Sequence, residues 1–241
     1  MNYIKFSFYS FILFIAGSCK DDPAKIDKGN VSFKISYSID TDTLQIDTIK
    51  YLNAAGNKYS VNHFEYFLSG FTFYKDDNTT YTSDEVFYVN IKKPLTNVLS
   101  IQNIPFGDYK SISFNIGLDS FKNKTNSLPN TIENINMAWP DAMGGGYHFI
   151  KLEGYFLDKT GTKQDGYAMH LGTNPNLIKI ELNHSFKITN STINKKLIAN
   201  INEWFKNPAN YDFDIDGNYS MGVKGAMSKL AQNGKDLFKI E

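Results

Sequence analysis

The side chains best suited to chemistry gather in two short stretches. The first runs Met137-Ala138-Trp139-Pro140-Asp141-Ala142-Met143, passes through three consecutive glycines, and ends Tyr147-His148. The second is Met169-His170-Leu171-Gly172. Imidazole nitrogen and thioether sulfur suit copper, and the thioether favours Cu(I). The chain has 4 histidines, so two of them close to methionines point to a metal site. Spacing alone leaves plainer roles open: a hydrogen-bonded structural histidine, methionine as core filler, tryptophan as a packing plug. Three glycines in a row add backbone entropy that folding must overcome. They suit a chain that bends tightly or lets its neighbours approach.

Other features carry weaker signals. Asp212-Phe213-Asp214-Ile215-Asp216-Gly217 imitates the first half of a calcium loop, but the position for a bidentate Glu is Val223. Loop solvation is the preferred reading there. Asp119 and Asn123 are expected to cap a turn, His63 and His184 to be structural, and Trp204 to anchor a short helical turn. No serine elbow, phosphate loop, zinc-peptidase helix or catalytic acid pair is present, so an enzyme is not expected.

The elements that position these residues read mostly as strands. Of 241 residues, 15% are aromatic, with 19 Phe and 15 Tyr, a composition that favours strands. Val31, Phe33, Ile35 and Tyr37 alternate with polar residues, as in a half-buried strand. Further strands are expected at 64–74, 86–91, 109–118, 147–157, 167–171, 177–182 and 196–201, with 147–157 and 167–171 forming a hairpin. Residues 119–137 read as a long polar loop. Only 222–233 has a helical period, with Gly234 as its stop. The expected fold is all-β: one β-sandwich with a long central loop and a short C-terminal helix. The 25 basic and 25 acidic side chains cancel, which leaves no field to hold a phosphate backbone and argues against nucleic acid.

The N-terminus reads as an export signal. Lys5 precedes an apolar run from Phe6 to Ala16, and Gly17-Ser18 supply small residues before a cleavage point. Cys19, the sole cysteine, has no disulfide partner and stands where a bacterial lipobox lipidates its cysteine. Lys20-Asp21-Asp22 resembles the surface-export signal of Bacteroidetes lipoproteins. The expected organisation is a signal peptide at 1–18, a lipidated Cys19 and tether over 19–29, and one domain over 30–241. The membrane would be met through the N-terminal lipid. The expected location is the outer membrane, at the cell surface or otherwise on the periplasmic face.

Several fragments, taken in order, resemble the MbnP family: Tyr66-Phe67-Leu68-Ser69-Gly70, Ile116-Gly117-Leu118-Asp119 with Asn123, Met137-Ala138-Trp139, Gly146 to Gly154, and His170-Leu171-Gly172. The resemblance spans roughly Val31 to Phe205, in a Bacteroidetes lipoprotein branch. These proteins are copper-binding partners of methanobactin systems, related to MopE and CorA. The resemblance implies copper held by histidines and a tryptophan oxidised to kynurenine by a relative of dihaem cytochrome c peroxidases. Carried over by motif, His170 is the first ligand, His148 the second, Trp139 the residue to be oxidised, and Met137 a further candidate donor. The chain departs from the family where a second aromatic is expected, at Asp141, and it lacks the paired cysteines. The function implied is a copper-binding lipoprotein for copper acquisition or handling. The alternative is a metal-free adhesion or glycan-binding β-sandwich, which would need exposed aromatics lining a groove.

Overall fold

The computed structural model describes residues 27–241. The expected signal peptide, Cys19 and most of the expected tether lie outside the described residues. The domain starts slightly before residue 30, because Lys28 and Gly29 already pair with Pro105 and Ile104.

In chain order the strands begin with β1 (Lys28–Ile39), β2 (Asp42–Thr43), β3 (Tyr51–Leu52), β4 (Lys58–Tyr59) and the long β5 (His63–Lys75). Next come β6 (Thr80–Thr82), β7 (Val86–Asn90), β8 (Val98–Pro105) and β9 (Gly107–Ile116). A segment containing helix α1 (Ile132–Asn136) leads to β10 (His148–Leu157), β11 (Gln164–Gly172), β12 (Ile178–Ile188) and β13 (Thr192–Asn200). The chain closes with α2 (Lys224–Asn233) and β14 (Phe238–Ile240).

These strands make two sheets. The nine-stranded sheet runs β12-β9-β5-β10-β4-β3, with β11 on β10 and β6 and β7 on β5. The five-stranded sheet runs β14-β13-β1-β2, with β8 on β1. Val31, Phe33 and Ile35 of β1 are buried at alternate positions, as the period predicted. Phe33 stacks on Phe71 and Phe73 of β5, with ring centroids 5.9 and 6.5 Å apart. Phe238 of β14 meets Tyr66 of β5 at 6.2 Å and Phe114 of β9 at 5.4 Å. The aromatic richness of the chain is therefore used between the sheets, where offset and edge contacts add about 0.5–1.5 kcal/mol each beyond burial. The all-β sandwich and its short C-terminal helix are as expected.

The structure amends three expectations. The central segment is no uniform loop: Thr131 caps α1 by accepting from the Asn134 amide. β8 and β14, unread in the sequence, each complete the smaller sheet. Gly234 does follow α2, but in a right-handed conformation. A Cβ there would lie 2.4 Å from Cζ3 of Trp204, so this glycine makes room for an indole. Among the described residues no helix is long and apolar enough to cross a membrane.

Candidate metal centre

The hairpin β10–β11 brings the two histidines together, and a bulge makes this possible. Lys151 faces His170 across the pair and His148 faces Gly172, with a register shift between His148 and Ile150. In an unbroken strand, residues 148 and 151 would point to opposite faces. The extra residue, Phe149, reverses that phase. His148, Lys151, Glu153 and His170 then share one face. Phe149 itself turns into the core, fully buried, against Gly117. A Cβ on Gly117 would lie 2.5 Å from the Phe149 ring, and the φ of +112° there disfavours a side chain in any case.

The imidazoles of His148 and His170 meet edge to face, with centroids 5.2 Å apart. Each ring has one nitrogen anchored. For His148, Nδ1 lies 3.2 Å from the Met137 carbonyl oxygen, which also accepts the His148 backbone amide at 2.7 Å. For His170, Nε2 lies 2.7 Å from Oε1 of Glu153. A carbonyl and a carboxylate only accept, so these partners assign the proton to Nδ1 in His148 and to Nε2 in His170. The other nitrogens, Nε2 of His148 and Nδ1 of His170, face away from these anchors. Both are buried and, among the described residues, without a hydrogen-bond partner. Such a group costs about 1–3 kcal/mol when left unsatisfied. Burial pushes the His148 imidazolium down to about 4, and the nearby Lys151 charge acts in the same direction. His148 is therefore neutral at physiological pH, the form that binds metal.

Trp139 completes the cluster. Its ring lies 4.7 Å from that of His148 by centroid, and the residue is buried. Its Nε1–H donates to the Met143 carbonyl at 3.2 Å, and its amide donates to the Gly146 carbonyl at 2.9 Å. The loop between them closes through three glycines with φ of +107°, +66° and +86°, which accounts for their run in the sequence. Gly172 receives the other side of the indole: a Cβ there would sit 2.4 Å from Cε3. The conformation is thus matched to Trp139 from both strands.

The remaining candidates are used differently. The side chain of Met137 belongs to the buried core, and its carbonyl is what touches His148. His63 pairs with Glu65 at 3.1 Å and His184 with Lys195 at 2.8 Å. Trp204 is fully buried. Asp119 accepts the amides of Phe121 and Lys122, closing a turn. In the calcium-like loop, Asp212 pairs with Lys159, Asp216 with Lys229 at 2.6 Å, and Asp214 accepts from Asn57 at 2.8 Å. Those acids brace the fold with protein partners in place of a cation.

Sequence reasoning missed two contributors. Glu153 orients His170, and His170 holds the Glu153 carboxyl below the usual range through that hydrogen bond, against the opposing effect of burial. Ser220 donates to the His170 carbonyl and accepts its amide, both at 2.8 Å, while Tyr219 lies 6.3 Å from the ring. Glu153 stands inside the Gly146 to Gly154 block, so only its alternation with Lys151 pointed towards it.

The donor set fits a soft ion of low coordination number. Among the described residues no three His, Cys, Asp or Glu side chains are grouped to hold a metal, as a structural zinc site with four ligands would need. Calcium, with six to eight oxygens, fits still less. Two imidazoles beside an indole suit copper.

The sequence profile of the family MbnP matches residues 28–224. Among solved structures, MbnP from Methylosinus trichosporium has the same fold, with a TM-score of 0.53 at 13% identity, over 78% of this chain and 80% of that one. No curated protein matches the sequence. The matched span runs from β1 to the first residue of α2 and takes in Trp139, His148 and His170; the chain belongs to the MbnP family.

Proposed function

We propose that this protein binds copper between Nε2 of His148 and Nδ1 of His170, and serves copper acquisition or handling as a lipid-anchored outer-membrane protein. The observation that carries this reading is the pair of buried, partnerless nitrogens on adjoining rings. A metal held between the rings would satisfy both at once, and among the described residues no protein group partners either nitrogen. Carbonyl and carboxylate anchors behind the rings resemble the outer partners that fix metal-bound histidines. Lys151 adds a reason for the ring to stay neutral, since its charge disfavours a protonated His148.

Trp139 is the residue best placed to add a third donor. Oxidation by a dihaem cytochrome c peroxidase-like partner, with hydrogen peroxide as the oxidant, would cleave the indole C2–C3 bond, release C2 as formate and leave the ketone and amine of kynurenine beside His148. The lipobox-like Cys19 supports anchoring in the outer membrane, and Lys20-Asp21-Asp22 favours the cell surface over the periplasmic face. The proposed role is binding and handling of the ion, without catalysis.

Elemental analysis and peptide mass spectrometry of protein isolated from its native host test this. Copper near one equivalent, together with the mass of kynurenine at Trp139, is the expected result. Native protein that carries copper and an unmodified Trp139 removes the kynurenine part alone. Native protein empty of copper, even after incubation with Cu(I), contradicts the reading.

A further inference from the structure

A cleft of about 540 Å³ is lined by Trp139, Met143, Pro175, Asn176, Lys224 and Met227 among others, and Trp139 alone of these adjoins His148. Met143 and Met227 reach the cleft from elements far apart in the chain. Met143 comes from the turn that closes on Trp139, and Met227 from α2, where its sulfur lies 3.9 Å from the Asn176 amide nitrogen. The Met143 methyl extends towards the segment before α2: a Cβ on Gly222 would lie 3.0 Å from it. Core packing accounts for Met137 and Met169, which are fully buried. Met227 is buried as well, at 6%, whereas Met143 is 38% exposed at the cleft.

We infer that Met143 and Met227 form a second Cu(I) site, a loading site from which the ion passes to His148 and His170; this inference rests on the copper reading of the histidine pair. Thioether sulfur is soft and uncharged, and it selects Cu(I) over harder ions without losing a proton. No carboxylate lines the cleft, and Lys224 does, so doubly charged ions are repelled more strongly than a single charge. Trp139 supplies an aromatic face, to which a desolvated cation is attracted. Uncharged ligands near a lysine hold the ion loosely, as a transfer site requires. The same indole adjoins His148, so the ion has a short way to travel.

The test is an anaerobic Cu(I) titration of the full chain against a chromophoric chelator, with loading followed in time. Two variants run beside wild type: Met143→Leu/Met227→Leu, which conserves volume, and His148→Ala/His170→Ala. Wild type is expected to take up a tight equivalent and a weaker one. The methionine variant keeps only the tight equivalent and loads it about tenfold more slowly. The histidine variant keeps only the weaker one. A methionine variant identical to wild type in stoichiometry and loading rate overturns the loading site and leaves the histidine pair standing. A histidine variant that retains the tight equivalent overturns the copper reading itself, and the loading site with it. Should the double methionine variant fail to fold, Met143→Leu alone, at a part-exposed position, separates the same two outcomes.

Discussion

At His148 and His170 the acceptors behind each ring decide which nitrogen is free. Glu153 does this for His170 across 2.7 Å, and Glu153→Ala releases the tautomer without removing a ligand. Copper affinity is expected to fall about 10- to 100-fold while the melting temperature of the metal-free protein changes little; competition titration and calorimetry measure the two separately. The same residues make the metal-free fold acid-sensitive. His148 has its folded value depressed from 6.5 to about 4 by burial, so its contribution to stability is complete above 6.5 and disappears as pH falls through 4. Glu65 behaves alike at lower pH. Burial alone would raise its carboxyl, but hydrogen bonds from His63 and Tyr88 prevail and lower it from 4.5 to about 2. Its stabilisation is complete above 4.5 and disappears as pH falls through 2. Unfolding followed against pH should therefore show stability declining from 6.5 downwards, with a second decline below 4.5; a flat profile between pH 7 and 4 contradicts the His148 assignment. The ring types at 139, 148 and 170 were legible in the sequence. The Met137 carbonyl was not, because every residue carries one and only the fold chooses among them.

The bulge at Phe149 is the element on which the centre depends. Counting in twos along β10 sets His148 opposite Lys151, and nothing in the residue types announces the extra position. Gly117 is the nearest thing to a signal, since its missing Cβ is the space that the Phe149 ring occupies. Gly117→Ala combines a clash with a disfavoured φ and should destabilise the protein by about 1–3 kcal/mol from overpacking alone, measurable as a shift in the denaturant midpoint. A variant as stable as wild type would show that the bulge does not need this contact. The alternating strands were readable where one face is buried and the other polar, as in β1. The hairpin β10–β11 was readable for the same reason. β8 escaped because Gln102 and Asn103 break its alternation and Asn103 adopts a φ of +61°. The calcium-like loop misleads in the opposite way: its acids are spaced for a cation, yet distant lysines and an asparagine answer them.

Over the whole molecule, the two sheets enclose an aromatic core and leave one end of the larger sheet to carry the histidines, the glycine loop and the methionine cleft. Composition was enough to indicate an all-β chain, and the residues of the MbnP blocks to indicate its family. The parallel pairing of β1 with β13 joins segments from opposite ends of the chain, and no local pattern encodes such a closure. The division of labour within the fold is plain from burial. Most aromatics of the described residues are buried, Trp139 and Tyr147 among them, while Phe121, Tyr155 and Tyr219 stay exposed. On the proposed reading, Nε2 of His148 and Nδ1 of His170 share one copper ion. Equilibrium copper binding to wild type, His148→Ala and His170→Ala, measured side by side at neutral pH on folded protein, tests it most directly. One tight equivalent in wild type, and its loss in each single variant, is the predicted result. Tight binding that survives either substitution contradicts it.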